Sequence, residues 1–226
     1  MENLTFKDKI MKAWLSCWLY VISAIGASLA TLVAVNFKVW ETTTTLAVCV
    51  AITLVLHVLE EWKFPGGFFY AYNLMMKSDE KMLDRYPMSQ VTDMLTNFGA
   101  LVYCLIMLAI GMPYIAAISA FWFSIMEVIV HTVNGFSVKK HYKAKGKKTI
   151  YNPGLATSLF GFLPLAILYV VTFTSQAPTW KELGLSFLLC AGVGVLCIPV
   201  AEGIFKNKNT KFPYNWGKGY FEKFEK

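Results

Sequence analysis

Charge is scarce in this sequence. Asp, Glu, Lys and Arg make up 15% of its 226 residues, whereas a soluble domain carries about a quarter, so an ordinary water-soluble fold is excluded. Cysteine motifs are lacking too: Cys17, Cys49, Cys104, Cys190 and Cys197 all lie inside apolar runs and form no CxxC. They read as small apolar packing residues, which leaves no disulfide framework and no redox pair. No removable signal peptide is evident. The first apolar run begins near Ala13 and continues for more than twenty residues without a small-x-small cleavage site, so it is expected to be a first transmembrane helix. Finally, the long apolar runs contain no Lys or Arg.

Apolar and aromatic residues are abundant instead. Hydrophobic residues make up 56% of the chain, with 17 Phe, 11 Tyr and 7 Trp, a composition that suits a bilayer whose interfaces hold amphipathic rings. A helix needs about twenty mostly apolar residues to cross the hydrocarbon. Six segments meet that standard: 13–37, 43–62, 94–112, 113–134, 154–176 and 183–205. The expected fold is all-α, a polytopic membrane protein with a six-helix transmembrane bundle, in one domain over residues 1–226. The tight Gly111-Met112-Pro113 turn makes spans three and four an antiparallel hairpin. Residues 64–90, aromatic at first and broken by Pro65-Gly66-Gly67, read as an interfacial or re-entrant element. Residues 206–226 read as a cytoplasmic tail whose interleaved aromatics and lysines suit a membrane surface.

The net charge of +7 would fit a nucleic-acid partner, but the placement of the charges excludes one. Nineteen Lys and Arg fall in the N-terminal segment, the loops after spans two and four, and the tail, against only Lys38 and Lys181 on the opposite side. By the positive-inside rule both termini are cytoplasmic. The expected location is a bacterial inner membrane, with membrane lipids as partners. The lysine-rich loop from Lys139 to Lys148 is a topology determinant that can also attract anionic lipid.

With that orientation, the intramembrane polar residues collect at one depth near the cytoplasmic face. His57, Glu60 and Glu61 end span two, Glu127, His131 and Asn134 lie in the inner half of span four, and Glu202 lies near the inner end of span six. Span three starts with Asp93 and Asn97, and span five with Asn152-Pro153-Gly154, where Asn can cap the helix and Pro takes the first turn. His57 and Glu61 are i, i+4, as are Glu127 and His131, so each pair shares a helical face, with Glu60 and Asn134 beside them. An ionised acid near the bilayer centre costs roughly 2.5–3.5 kcal/mol, less near the interface. With no Lys or Arg in any span, the four Glu need protons, water or a bound metal. His and carboxylate without thiolate suits a divalent ion, zinc by preference, with iron or manganese as alternatives. His57, Glu61, Glu127 and His131 are the expected ligands and Glu60 the general base. Asn97, Asn134, Asn152 and Glu202 would orient the substrate or support the ligands.

His57-Val58-Leu59-Glu60-Glu61 resembles the signature of the HXXEE family of small integral membrane proteins, and Glu127…His131-x-x-Asn134 and Tyr151-Asn152-Pro153-Gly154 resemble its later motif blocks. The resemblance runs from span two to span six and implies a membrane protein suspected of being an enzyme. More distantly, the Glu-Glu pair and His131-Thr132-Val133-Asn134 are similar to motifs of the CAAX prenyl endopeptidases. The chain departs from that family's Glu-Glu-x-x-x-Arg at Pro65. The leading expectation is a metal-dependent membrane enzyme, a hydrolase acting on a lipid-like or membrane-embedded substrate from the cytoplasmic leaflet. A proton- or cation-coupled transporter and a non-catalytic receptor or assembly factor stand as alternatives. Against transport, the spans show no inverted repeat and the acids lie near one face rather than at midplane.

Overall fold

A computed structural model describes residues 4–225. The described residues are helical and contain no strand. Six helices are long and apolar enough to cross a membrane: α1 (Phe6–Asn36), α2 (Thr42–Trp62), α4 (Gln90–Ala109), α5 (Pro113–His141), α6 (Leu155–Phe173) and α7 (Trp180–Phe205). A short α3 (Phe68–Met75) lies between α2 and α4. Single π-helical turns interrupt α6 at Ser158–Phe162 and α7 at Leu196–Val200. Helix starts follow ordinary capping chemistry. Thr5 and Asp8 form a capping box on α1, Ser89 and Thr92 on α4, and Thr179 and Glu182 on α7, each satisfying backbone N–H groups that a helix leaves open.

α2 is the hub. Of its apolar window 61% is buried, against 11–33% in the other five, and it packs against α1, α4, α5 and α6. The outer helices instead present Tyr20, Val35, Phe160, Leu188 and similar apolar side chains outward, as helices facing lipid do. α4 and α5 form the expected hairpin, with Gly111 at φ +74° in the turn and Pro113 opening α5.

One end of the bundle carries the C-termini of α2 and α5, the N-termini of α4 and α6, and the described residues that precede α1 and follow α7. α3 packs there against α2 and α5 with Phe68, Phe69, Tyr70, Ala71 and Asn73 buried. Asn73 pins the following loop: its Nδ2 donates to the Leu83 and Met88 carbonyls, and its Oδ1 accepts from Met88 N–H. The tail is more than a surface segment, because it folds back over this end. Lys211 pairs with Asp8 at 2.6 Å, the Tyr214 ring stacks on Phe69 at 3.7 Å, and Phe221 is buried. Lys147, in the lysine-rich loop read as a topology determinant, is buried beneath the tail, its Nζ donating to Tyr151 O at 2.5 Å and Tyr220 Oη at 3.1 Å. Burial pushes the Lys147 amine below its usual value. His141, the last residue of α5, is exposed.

Candidate metal centre

The hub position of α2 brings the last two turns of that helix against α5, and the i, i+4 spacing on each helix does the rest. His57 Nε2 lies 3.4 Å from Glu61 Oε1 and 3.5 Å from Glu127 Oε2. His131 Nε2 lies 3.3 Å from the same Glu61 oxygen and 3.5 Å from the same Glu127 oxygen. The two imidazole rings cross edge to face at 4.7 Å. Donor atoms of His57, Glu61 and His131 all fall within 4.8 Å of one another, a spacing that could hold a metal ion. These three side chains are buried, while 16% of the Glu127 side chain remains exposed. Phe68 and Phe162 pack on the imidazoles and keep the site apolar around its polar centre.

The outer ring nitrogens reveal the protonation pattern. His57 Nδ1 lies 2.8 Å from Thr157 Oγ1, and the Thr157 hydroxyl donates to Glu60 Oε2 at 2.7 Å. With its proton committed to a carboxylate, Thr157 Oγ1 accepts from His57 Nδ1–H. His131 Nδ1 lies 3.2 Å from Asn152 Oδ1, and the Asn152 amide is oriented by its own donations to the His131 and Ile150 carbonyls. Nδ1 therefore donates there too. In the neutral ring each Nε2 then keeps a bare lone pair, and both lone pairs converge on two carboxylates. Four acceptors facing one another require a cation or protons between them.

Glu60 belongs to a different structure. It was expected on the same face as His57 and Glu61, serving as the base. Its carboxylate instead accepts from Tyr151 Oη at 3.0 Å, Ala156 N at 3.1 Å, Thr157 N at 2.8 Å and Thr157 Oγ1 at 2.7 Å. Two of these donors are first-turn N–H groups of α6, so Glu60 caps that helix from across the bundle. Asn152 was read as that cap. Helix α6 starts only at Leu155, and the Asn152 side chain turns to His131. The intervening Gly154 has φ +93°, and a Cβ there would lie 2.2 Å from the His131 ring. Only glycine gives both that backbone and that clearance. Burial, then the Glu60 charge, raises the Tyr151 phenol, which stays a donor.

The remaining expected residues spread outward. Asn97 donates to Asp93 Oδ1 at 2.8 Å, and Tyr214 Oη donates to Asp93 Oδ2. Burial, then the Asp93 carboxylate, pushes the Tyr214 phenol up. Asn134 is buried on α5 beyond His131. Glu202 is buried beside Tyr72, with Oε1 lacking a hydrogen-bond partner. Thr157 and Tyr214 were not anticipated, and Tyr151 was noted only as part of a motif block: neutral hydroxyls carry no charge penalty in an apolar segment or tail, so nothing in the sequence gives them a role.

A family model described as "Protein of unknown function with HXXEE motif" matches residues 48–169, more than half of the chain. That stretch contains His57, Glu60, Glu61, Glu127, His131, Asn152 and Thr157, and ends before Glu202 and Tyr214. No curated protein and no solved structure matches the chain, and the resemblance to prenyl endopeptidases gains no support from these comparisons.

Proposed function

The chain belongs to the HXXEE family, and from the centre built around that motif we propose a metal-dependent membrane enzyme that hydrolyses a lipid-like or membrane-embedded substrate. His57, Glu61 and His131 are the ligands of a divalent ion, zinc by preference, since two imidazoles and one carboxylate with an open position are a catalytic zinc set. Glu127 contacts both imidazoles yet retains exposed surface, and it faces the cavity described below. It is therefore assigned as general base on the attacking water, with the option of a fourth ligand contact. Glu60 is a positioning residue: it holds Thr157, which holds His57. Asn152 does the same for His131. The bound ion would supply a Lewis acid. The lysine-rich end is assigned to the cytoplasm by charge placement, which puts the centre near the inner leaflet.

The observation that carries this reading is the convergence of two imidazole lone pairs on two buried carboxylates, with both outer nitrogens already hydrogen-bonded. Metal-ligating histidines show this pattern, because the outer hydrogen bond fixes the tautomer and raises basicity. A second reading follows from the same quartet. With both imidazoles protonated it balances its charge without metal, which would suit a proton-coupled transporter.

Elemental analysis of purified protein separates the two. The metal reading expects a stoichiometric divalent ion in wild type, lost in His57→Ala and His131→Ala. Glu127→Gln should keep the ion but lose roughly 10²–10⁴-fold in turnover of membrane lipid, as removal of a general base does, measured by lipid mass spectrometry in nanodiscs. Wild-type protein that is free of metal and indifferent to chelators overturns the reading, and proteoliposome flux sensitive to His131→Ala would then favour transport.

A further inference from the structure

A partly open cavity with about 80 Å³ of free interior space lies between α2, α4, α5 and α7. Glu127 is the one charged residue among those lining it, and Asn97 is the one amide. Away from that polar end the wall is apolar except for Tyr103 and Ser119, whose hydroxyls are paired with each other at 3.0 Å, and Ala51, Ala100, Ala116 and Ala120 leave the space that larger side chains would fill. The lining on α4 runs from Thr96 to Met107 and on α5 from Ala116 to Glu127, about 16 Å of helix at 1.5 Å per residue.

Helical periodicity joins this cavity to the metal centre. On α2 the lining residues Val50 and Leu54 fall on the stripe that continues to His57 and Glu61. On α5 Ala116, Ala120 and Phe123 fall on the stripe that continues to Glu127 and His131. Both stripes step by three or four residues, the spacing of one helix face. The fourth wall is α7, the least buried span. There Gly194 faces the cavity, and a Cβ built on it would meet nothing within 4 Å. The π-helical turn of α7 is fastened to α4 at the polar end of this wall, where Thr96 Oγ1 donates to Cys197 O at 2.7 Å. Such turns free a carbonyl from the helix ladder and recur at functional sites.

We propose that this cavity takes a single hydrocarbon chain of the substrate lipid, its polar end at Glu127 and its methyl end toward Met107 and Ala116. The proposal rests on the function proposed above for the identity of the reacting end. Water is the wrong occupant for so apolar a wall, and the spans around it are bathed in lipid chains. The free interior space of about 80 Å³ is narrow, so a single chain lying along the groove is the most it admits and a whole diacyl phospholipid is excluded. With Glu127 as the only charge in the lining, the polar group next to it should be uncharged, as an ester or hydroxyl is.

The test is photocrosslinking with a palmitoyl monoacylglycerol carrying a diazirine near the methyl end. Full-length protein in nanodiscs is irradiated and the adducts are mapped by peptide mass spectrometry. Adducts should concentrate on residues 100–107 and 116–120 and be competed by unlabelled monoacylglycerol. Gly194→Phe, which fills the cavity without a clash at Cβ, should lower the yield roughly tenfold or more, as loss of a packed apolar site does, with bound metal unchanged. Ala120→Leu provides an independent filling from the opposite wall. Adducts scattered equally over the outward faces of α1 and α6, or yields unmoved by both substitutions, overturn the proposal. The two readings fail separately. Stoichiometric metal with scattered adducts sinks the chain site alone, and cavity adducts in a protein that binds no metal sink the metal site alone.

Discussion

Glu60 and Glu61 are neighbours in sequence and, at 3.6 residues per turn, point about 100° apart on their helix. That rotation divides the motif into two jobs. His57 and Glu61, one turn apart, face α5 and meet His131. Glu60 faces the start of α6 and takes four donors there. A carboxylate suits this position, since it accepts at both oxygens and complements the positive end of a helix. Glutamine would turn an NH2 toward donors that are already buried. Leaving one such donor unpaired costs about 1–3 kcal/mol. Glu60→Gln is therefore expected to lower thermal stability in detergent by that order while folded protein keeps its metal. Unchanged stability together with lost turnover would return Glu60 to the role of base. The two His/Glu pairs, His57 with Glu61 and Glu127 with His131, were legible in the sequence because i, i+4 spacing is read directly from residue numbers. The division between Glu60 and Glu61 was not, because the donors to Glu60 lie 91 to 97 residues away and Thr157 is an unremarkable hydroxyl.

At the scale of elements, the long helices were legible from hydropathy, with the ends of α1, α4, α5 and α7 extended by polar residues that hydropathy cannot count. Thr5–Asp8 and Ser89–Thr92 start α1 and α4 ahead of their apolar runs. The tail was less legible, since interleaved aromatics and lysines describe equally a surface segment and one folded onto protein. Glu225 shows how the tail is held. Burial opposes its charge, but Tyr70 Oη donates to it at 3.2 Å, Lys145 and Lys218 Nζ each lie 3.3 Å away, and its carboxyl is held at about 2. A depressed folded value contributes stability above the unfolded value of about 4.3, and that contribution is lost as pH falls toward 2. Hydrogen exchange of the 219–225 peptide, corrected for intrinsic rate, should therefore loosen by up to about fivefold as pH falls from 5 to 2, the range expected of partly exposed ion pairs. Glu225→Gln should be loosened already at pH 6 and show no such titration. A wild-type profile flat across that range would mean that the aromatic contacts alone hold the tail.

For the whole molecule the question is which way the bundle faces. Six spans return the chain to the side on which it began, and the described N-terminal segment and tail do meet, through Asp8 and Lys211. The same end carries the metal-site residues, α3 and all the lysine-rich segments, so one charge bias orients the centre together with the termini. Nineteen Lys and Arg against two is a strong bias by the positive-inside rule, and it is counted over short loops, where that rule operates. Lys147 is buried and Arg85 is paired with Asp84, yet removing both leaves the asymmetry intact. The expectation is that a green fluorescent protein fused to the C-terminus fluoresces and that alkaline phosphatase fused there is inactive. Fusions in the loop after α1, near Lys38, should show the reverse. A C-terminal phosphatase that is active would move the His/Glu centre to the outer leaflet. The substrate would then have to be sought among lipids exposed on that side, while the ligand geometry and the cavity would stand as they are.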